Sequence, residues 1–154
     1  MKLSLPPVNP LAYLPIEIGD KSKQISIVPY NIVNIMLTGK LLTLFMMHSA
    51  ETQYVFSIGI RAFLRQMAEF NLFCCLNSTE AVNIYQRTEI NKDLKVFKMN
   101  NAMQVKYNDK SFIVYRKMLI RLFEEAQTTI RFPSEAAKLA AQKVLVAQKL
   151  LTVV

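Results

Sequence analysis

The sequence contains an internal repeat in which a strand pattern changes into a helix pattern twice, 56 residues apart. The segment Phe56–Phe70 aligns with the segment Phe112–Ala126. Three aligned pairs are identical: Phe56/Phe112, Arg65/Arg121 and Glu69/Glu125. Because the apolar period changes at the same aligned place in both segments, we predict that the chain folds as two related units.

The first unit is predicted to contain a strand, a hairpin, a further strand and a helix. The strands are expected at 24–28 and 54–60, the hairpin at 31–47 and the helix at 61–70. A helix is the competing interpretation of 31–47, since short apolar runs are ambiguous. The central Gly39 and the β-branched residues before it favour a hairpin.

The second unit is predicted to follow the same order. A strand is favoured over a helix at 81–88, and a hairpin is expected at 95–107 around the turn Asn100-Asn101, because Asn tolerates positive φ. A third strand is predicted at 111–116, followed by an amphipathic helix at 118–126.

These patterns predict an α+β fold with two pseudo-repeated units of antiparallel strands, each followed by a helix. The helices are expected on one side of the sheets, which would leave the other face open for a partner. We divide the chain into a proline-rich apolar arm at 1–23 and a single domain at 24–154. The domain comprises repeats at about 24–77 and 78–131 and a long C-terminal helix at about 134–152.

Positive charge is concentrated in the second unit. The formal net charge is +8, and between Lys92 and Lys117 there are seven basic residues against two acidic ones. An asymmetric basic surface is typical of proteins that bind nucleic acids or acidic membranes, although charge that only aids solubility is equally compatible with this composition.

The basic strands of the second unit are interleaved with aromatic residues, a combination suited to single-stranded nucleic acid. Such binding needs cations for the phosphates and flat side chains on which bases stack. The candidate nucleic-acid-binding residues are Lys95, Phe97, Lys98, Lys106, Tyr107, Lys110, Tyr115 and Arg116. Core packing of each ring and a solvated strand edge for each lysine are the structural alternatives.

The repeated order of four strands and a helix resembles the Whirly proteins and the related mitochondrial guide-RNA-binding proteins. A single unit is similar to the coactivator-type single-stranded-DNA-binding domain. The resemblance covers about residues 24–130 and rests on element order and basic strands, since no lysine-rich Whirly-like motif is present. It implies an oligomer that lays single-stranded nucleic acid across its strands. We predict that the protein binds single-stranded DNA, or less favourably RNA, through its basic and aromatic strands with little sequence preference.

A protein-interaction or assembly module is the alternative function. The apolar arm, the apolar hairpin at 31–47 and the Ala-rich segment at 134–152 would each suit homo-oligomerisation. The two hypotheses differ in salt dependence, because only phosphate binding releases counterions.

Other functions are not favoured by the sequence. We expect no enzyme activity, cofactor or metal, since the single histidine, His48, lies outside any catalytic motif, and three glycines provide no phosphate-binding loop. Cys74 and Cys75 are adjacent, which predicts an unbridged, buried pair. With no secretory signal pattern and no membrane span expected, we predict a cytoplasmic protein.

Overall fold

The structure is a computed structural model that describes residues 5–21, 23–47 and 53–125. The predicted C-terminal helix at 134–152 and His48 lie outside the described residues. The elements are β1 (Ile16–Gly19), β2 (Gln24–Ile27), β3 (Ile32–Thr38), β4 (Leu41–Met46), β5 (Gln53–Phe56), α1 (Ile60–Met67), β6 (Phe73–Cys75), β7 (Glu80–Asn83), β8 (Arg87–Asn91), β9 (Val96–Met99), β10 (Gln104–Lys106) and α2 (Asp109–Glu125). The fold is therefore α+β, as predicted.

The two halves of the described chain have the same order of elements. In the first, β2 and a short 3-10 turn precede the antiparallel meander β3-β4-β5 and helix α1. In the second, β7 and a similar turn precede the antiparallel meander β8-β9-β10 and helix α2. Each unit thus places three neighbouring strands directly before a helix, although the last strand of the second unit is β10 and not the segment predicted at 111–116, which belongs to α2.

The strands preceding the two meanders take different partners. β2 pairs with β1 in a separate two-stranded sheet, so part of the segment predicted as an arm forms a strand. β7 instead pairs with β3 and β6, which extends the first meander to a five-stranded sheet in the order β5-β4-β3-β7-β6. The second meander remains a three-stranded sheet, with β10 at an edge.

Two hydrophobic cores lie against the five-stranded sheet. On β3, Ile35 belongs to the first core, with Phe63 and Met67 of α1, whereas Val33 belongs to the second core. On β7 the successive residues Ala81 and Val82 belong to different cores, because successive side chains of a strand point to opposite faces. On β3 a register shift between Ile32 and Asn34 lets Val33 and Ile35 face different cores although they are two positions apart. We predicted that one face of the sheets would stay open for a partner. This is wrong for the five-stranded sheet, because each of its faces carries a hydrophobic core.

Each helix packs in one of the two cores, and α2 also contacts β6 of the five-stranded sheet. In the first core, α1 accompanies Leu42, Leu44 and Phe56 of β4 and β5. In the second core, Tyr115 and Leu122 of α2 accompany Phe97 of β9 and Val105 of β10. The second core also contains Val82 and Cys74, so it joins the two units.

Asparagine and glutamine side chains bridge the two units where polar groups are buried. The Asn101 amide donates to Oδ1 of Asn34 over 3.0 Å, and both residues are buried. The Gln86 amide donates to the Tyr30 carbonyl over 2.9 Å, and the Asn83 amide donates to the Ile32 carbonyl over 2.9 Å. Buried polar groups with such partners define one arrangement of the units, because a shifted arrangement would leave them unpaired.

The hairpins occur at both predicted places, but one turn differs in detail. Gly39 has a φ of 63° in the β3–β4 turn, where glycine avoids strain. In the β9–β10 turn the positive φ, 69°, is at Ala102 rather than at an asparagine. The Met99 amide donates to the Met103 carbonyl over 2.9 Å, so the loop has three residues instead of the predicted two.

The cysteines are unbridged, and only one of them is buried. Cys74 points into the second core, whereas the next residue of β6, Cys75, is exposed, so the prediction of a buried pair is wrong for Cys75. Burial raises the pKa of the Cys74 thiol to about 12. Cys74 is therefore a packing residue and not a thiolate nucleophile at neutral pH.

Gly19 is required at the end of β1 by a close backbone approach. A Cβ atom there would lie 2.0 Å from the Lys23 carbonyl oxygen. We expect Gly19→Ala to lower the free energy of unfolding by about 1–3 kcal/mol, because the backbone must shift. Gly59→Ala is the matched control, since its Cβ would meet no atom within 4 Å. Urea denaturation of both variants checks this, and equal effects would contradict it.

Three partly buried tyrosines predict a loss of stability at alkaline pH. The rings of Tyr13 and Tyr30 lie 4.9 Å apart, and burial, followed by the charges of these two neighbours, raises the pKa of Tyr85 to about 12. The usual tyrosine pKa is about 10. The unfolded chain therefore loses protons first, and stability falls as pH rises from about 10 to about 12.

Urea midpoints measured across this alkaline range test the tyrosine prediction. We expect the midpoint of the native chain to fall more steeply with pH than that of Tyr85→Phe, which cannot ionise at this position. Parallel curves for the two proteins would contradict the assignment to Tyr85.

Candidate nucleic-acid interface

Helix α2 begins earlier than predicted, which changes the position of every later side chain. Oδ1 of Asn108 accepts a hydrogen bond from the Ser111 amide over 2.7 Å, and the Asn108 carbonyl accepts one from the Phe112 amide. Asn108 is therefore an N-cap, with Asp109 in the first turn, where a negative charge complements the helix dipole. The prediction of a strand at 111–116 is wrong, because this cap and the buried helical face outweigh the β-favouring Phe-Ile-Val-Tyr run.

All three aromatic candidates lie inside the second core. Phe97, Tyr107 and Tyr115 have between 0% and 8% of their surface exposed. The Phe97 ring lies 5.4 Å from the Tyr107 ring and 4.9 Å from the Tyr115 ring, centroid to centroid, in edge-to-face geometry. Burial also raises the pKa of Tyr115. In this conformation these rings pack against one another and offer no face to a base.

Lys98 and Lys106 share the outer face of the three-stranded sheet. Lys98 is opposite Gln104 in the register, and Phe97 is opposite Val105, so the lysines lie on the side away from the core. Nζ of Lys98 is 3.6 Å from Oε2 of Glu89 on β8, in a pair exposed to solvent. Lys106 is exposed on the edge strand β10.

Lys95 and Lys110 lie at the start of α2. Nζ of Lys95 is 3.0 Å from Oδ1 of Asp109, the residue before Lys110, and the Lys95 carbonyl accepts a hydrogen bond from the Tyr107 amide. Lys95 has a φ of 55° in the β8–β9 turn. Because Asp109 offsets the positive charge of Lys95, the net charge at the start of α2 is lower than Lys95 and Lys110 alone would give.

The solvent side of α2 carries a basic ridge that we define as Lys110, Lys117 and Arg121. These residues are seven and four positions apart, so they align along the helix, and all are exposed. NH1 of Arg121 lies 3.4 Å from Oε1 of Glu125. Arg116 is also exposed but lies on another line of the helix. Because 111–116 was predicted as a strand, the alignment of these cations along one helix was missed. The cap residues Asn108-Asp109 and the helical period of the apolar residues that follow would have indicated the earlier helix start.

The candidate cations thus form two exposed groups, the Lys98–Lys106 sheet face and the start and ridge of α2. Lys106, Lys110 and Lys117 make no ion pair with any residue that the structure describes. Exposed ammonium groups of this kind can contact phosphates without a change in the fold. No group of three or more His, Cys, Asp or Glu side chains suited to a metal occurs within 5–21, 23–47 and 53–125. No helix in this part of the chain is long and apolar enough to cross a membrane.

The fold is similar to the LytTr DNA-binding domain of a response regulator from Bacillus cereus. The two chains are 13% identical and have a TM-score of 0.55, and the match covers 69% of this chain and 96% of that domain. No family model and no curated protein matches the sequence. The resemblance to the Whirly and guide-RNA-binding proteins is therefore wrong. Element order and basic strands suggested it, whereas a solved structure that the fold matches is a LytTr DNA-binding domain.

Proposed function

We propose that this domain binds DNA, and that the exposed cations of the second unit contact the phosphates. The observation that carries the proposal is the likeness of the fold to a DNA-binding domain. Lys106, Lys110 and Lys117, which are exposed and outside the described ion pairs, support the choice of surface. The proposed activity is binding without catalysis.

The burial of the aromatic residues favours phosphate contacts over base stacking. A base could stack on Phe97, Tyr107 or Tyr115 only if the second core opened. Contacts with phosphates carry no sequence information directly, which agrees with the predicted lack of sequence preference. The preference for single strands stays a prediction, as does binding of RNA.

Fluorescence anisotropy with a labelled single strand, the duplex of the same sequence and the matching RNA tests the proposal. We expect DNA binding that weakens roughly 40- to 150-fold between 50 and 200 mM salt, as three to four duplex phosphate contacts require. Tighter binding of the single strand than of the duplex would support the single-strand prediction. Absence of DNA binding at low salt, or binding that salt does not change, would overturn the proposal.

A further inference from the structure

The outer face of the three-stranded sheet carries a row of polar side chains, one from each strand. Glu89 of β8 is opposite Lys98 of β9, and Lys98 is opposite Gln104 of β10. These side chains lie on the side away from the second core, into which Phe97 and Val105 point. Gln104 is exposed, and its strand is an edge of the sheet. The row is therefore open to a molecule that approaches this edge.

Gln104 differs from the other side-chain amides around it because the fold does not use it. From Asn83 to Asn108, every other asparagine or glutamine makes a side-chain hydrogen bond within the described structure: Asn83, Gln86, Asn91, Asn100, Asn101 and Asn108. Gln104 makes no side-chain hydrogen bond to any residue that the structure describes. Its carbonyl oxygen and its NH2 group are both free to bind a ligand that offers a donor beside an acceptor.

We propose that Gln104 reads an adenine base in the major groove of duplex DNA, with the β9–β10 hairpin lying in the groove. Adenine presents the N6 amino donor beside the N7 acceptor there, and a glutamine amide binds both at once. No other base presents this pair of groups in the major groove. The inference rests on the proposed DNA binding, and it adds a preference at one base pair to phosphate contacts that carry none.

The dimensions of the hairpin fit the groove. The major groove of B-DNA is about 12 Å wide and admits a two-stranded ribbon, whose strands lie about 4.8 Å apart. Because β10 is an edge strand, Gln104 and Lys106 would enter the groove first. The two residues share the outer face and lie about 6.6 Å apart along the strand, close to two base-pair steps of about 3.4 Å. Lys106 can therefore contact the DNA two steps from the base that Gln104 reads.

The charges on this face suit base edges in its middle and phosphates at its margin. Nζ of Lys98 is 3.6 Å from Oε2 of Glu89, so these two side chains together carry no net charge. Gln104, beside them, is neutral. The cations without a described ion pair are Lys106, further along β10, and Lys110, in the first turn of α2. Bases can thus meet the neutral row while the backbone phosphates meet these lysines.

Selection from a random-sequence duplex library, followed by anisotropy with single duplexes, tests the inference. We expect the native chain to enrich duplexes with adenine at one position. Replacing that A·T pair by G·C should weaken binding about 5- to 150-fold, the discrimination of one bidentate contact. Gln104→Ala should lose this difference. Gln104→Arg should prefer guanine at the same position, because arginine donates to both O6 and N7 of guanine.

Gln24→Ala is the matched control, since Gln24 is also an exposed glutamine on a strand but lies in the separate β1–β2 sheet. It should keep the adenine preference of the native chain. Equal urea midpoints of the three variants and the native chain will show that the substitutions leave the fold intact.

Three results would overturn the inference. The native chain could bind duplexes without enriching any base, it could bind single strands but no duplex, or Gln104→Ala could keep the full preference. In each case salt-dependent DNA binding would still support the proposed function. Absence of binding to any DNA at low salt would overturn both, so the two failures are distinguishable.

Discussion

Replacing Phe97 by alanine is expected to lower the free energy of unfolding by about 3–5 kcal/mol, the usual effect of removing a large aromatic side chain from a core. Phe97 is fully buried between Tyr107 and Tyr115, and Val105 is its partner in the register. Its loss would leave a cavity where the three-stranded sheet meets α2. Urea denaturation of the native and variant chains measures the change.

Leu94→Ala is the control for this effect, since Leu94 is exposed in the β8–β9 turn. We expect it to change the free energy of unfolding by less than about 0.5 kcal/mol. Equal losses in the two variants would contradict the assignment of Phe97 to the core.

A milder substitution at the same position separates packing from stacking. Phe97→Leu keeps most of the apolar volume but removes the ring, so the chain should remain folded at lower stability. If Phe97 is only a core residue, DNA affinity should stay unchanged in conditions where the variant is folded. If its ring stacks on a base, as the sequence suggested, affinity should fall by about 1–3 kcal/mol, the usual contribution of one stacked base.

Reversing the charge of Lys106, Lys110 and Lys117 together, each to glutamate, is expected to weaken DNA binding on the order of 100-fold at 0.1 M salt. These lysines lie on β10 and along α2, are exposed, and make no ion pair with a described residue. Losing three phosphate contacts should also reduce the slope of log K against log salt by about three. Anisotropy at several salt concentrations measures both quantities.

The repeat provides a control with the same change in net charge. Lys40, Arg61 and Arg65 are exposed on the first unit, and Arg61 and Arg65 align with Lys117 and Arg121. Replacing these three by glutamate should weaken binding much less than replacing the second-unit lysines. Equal weakening by the two triple variants would mean that overall charge, and not the second unit, determines affinity.

Local patterns in the sequence correctly indicated most of the elements. The stripe of Phe63, Met67 and Phe70 identified the first helix, and all three side chains are buried. Gly39 identified the first hairpin, because a turn with positive φ favours glycine. These features depend on residues close together in the chain, where spacing alone carries the information.

Prediction was weakest where a pattern fitted two structures. The run Phe112 to Tyr115 has the composition of a strand, yet it lies within the first two turns of α2, since the Asn108 cap and burial of Tyr115 in the core favour a helix. Alternation along β9 sorted Phe97 and Lys98 to opposite faces, but it could not tell which face meets α2. Three aromatic residues were for that reason assigned to a binding surface.

The sequence by itself determined the α+β class and the concentration of charge in the second unit, because these follow from periodicity and composition. The duplication stays a prediction, since the aligned residues Phe56 and Phe112 lie in a strand and in a helix. Only the tertiary structure decided that β7 joins the first meander while its counterpart β2 pairs with β1. It also decided that the basic unit buries its rings and exposes its lysines. The physical reason is that strand partners and core faces are selected by contacts between distant residues, such as Asn34 with Asn101, which no local pattern contains.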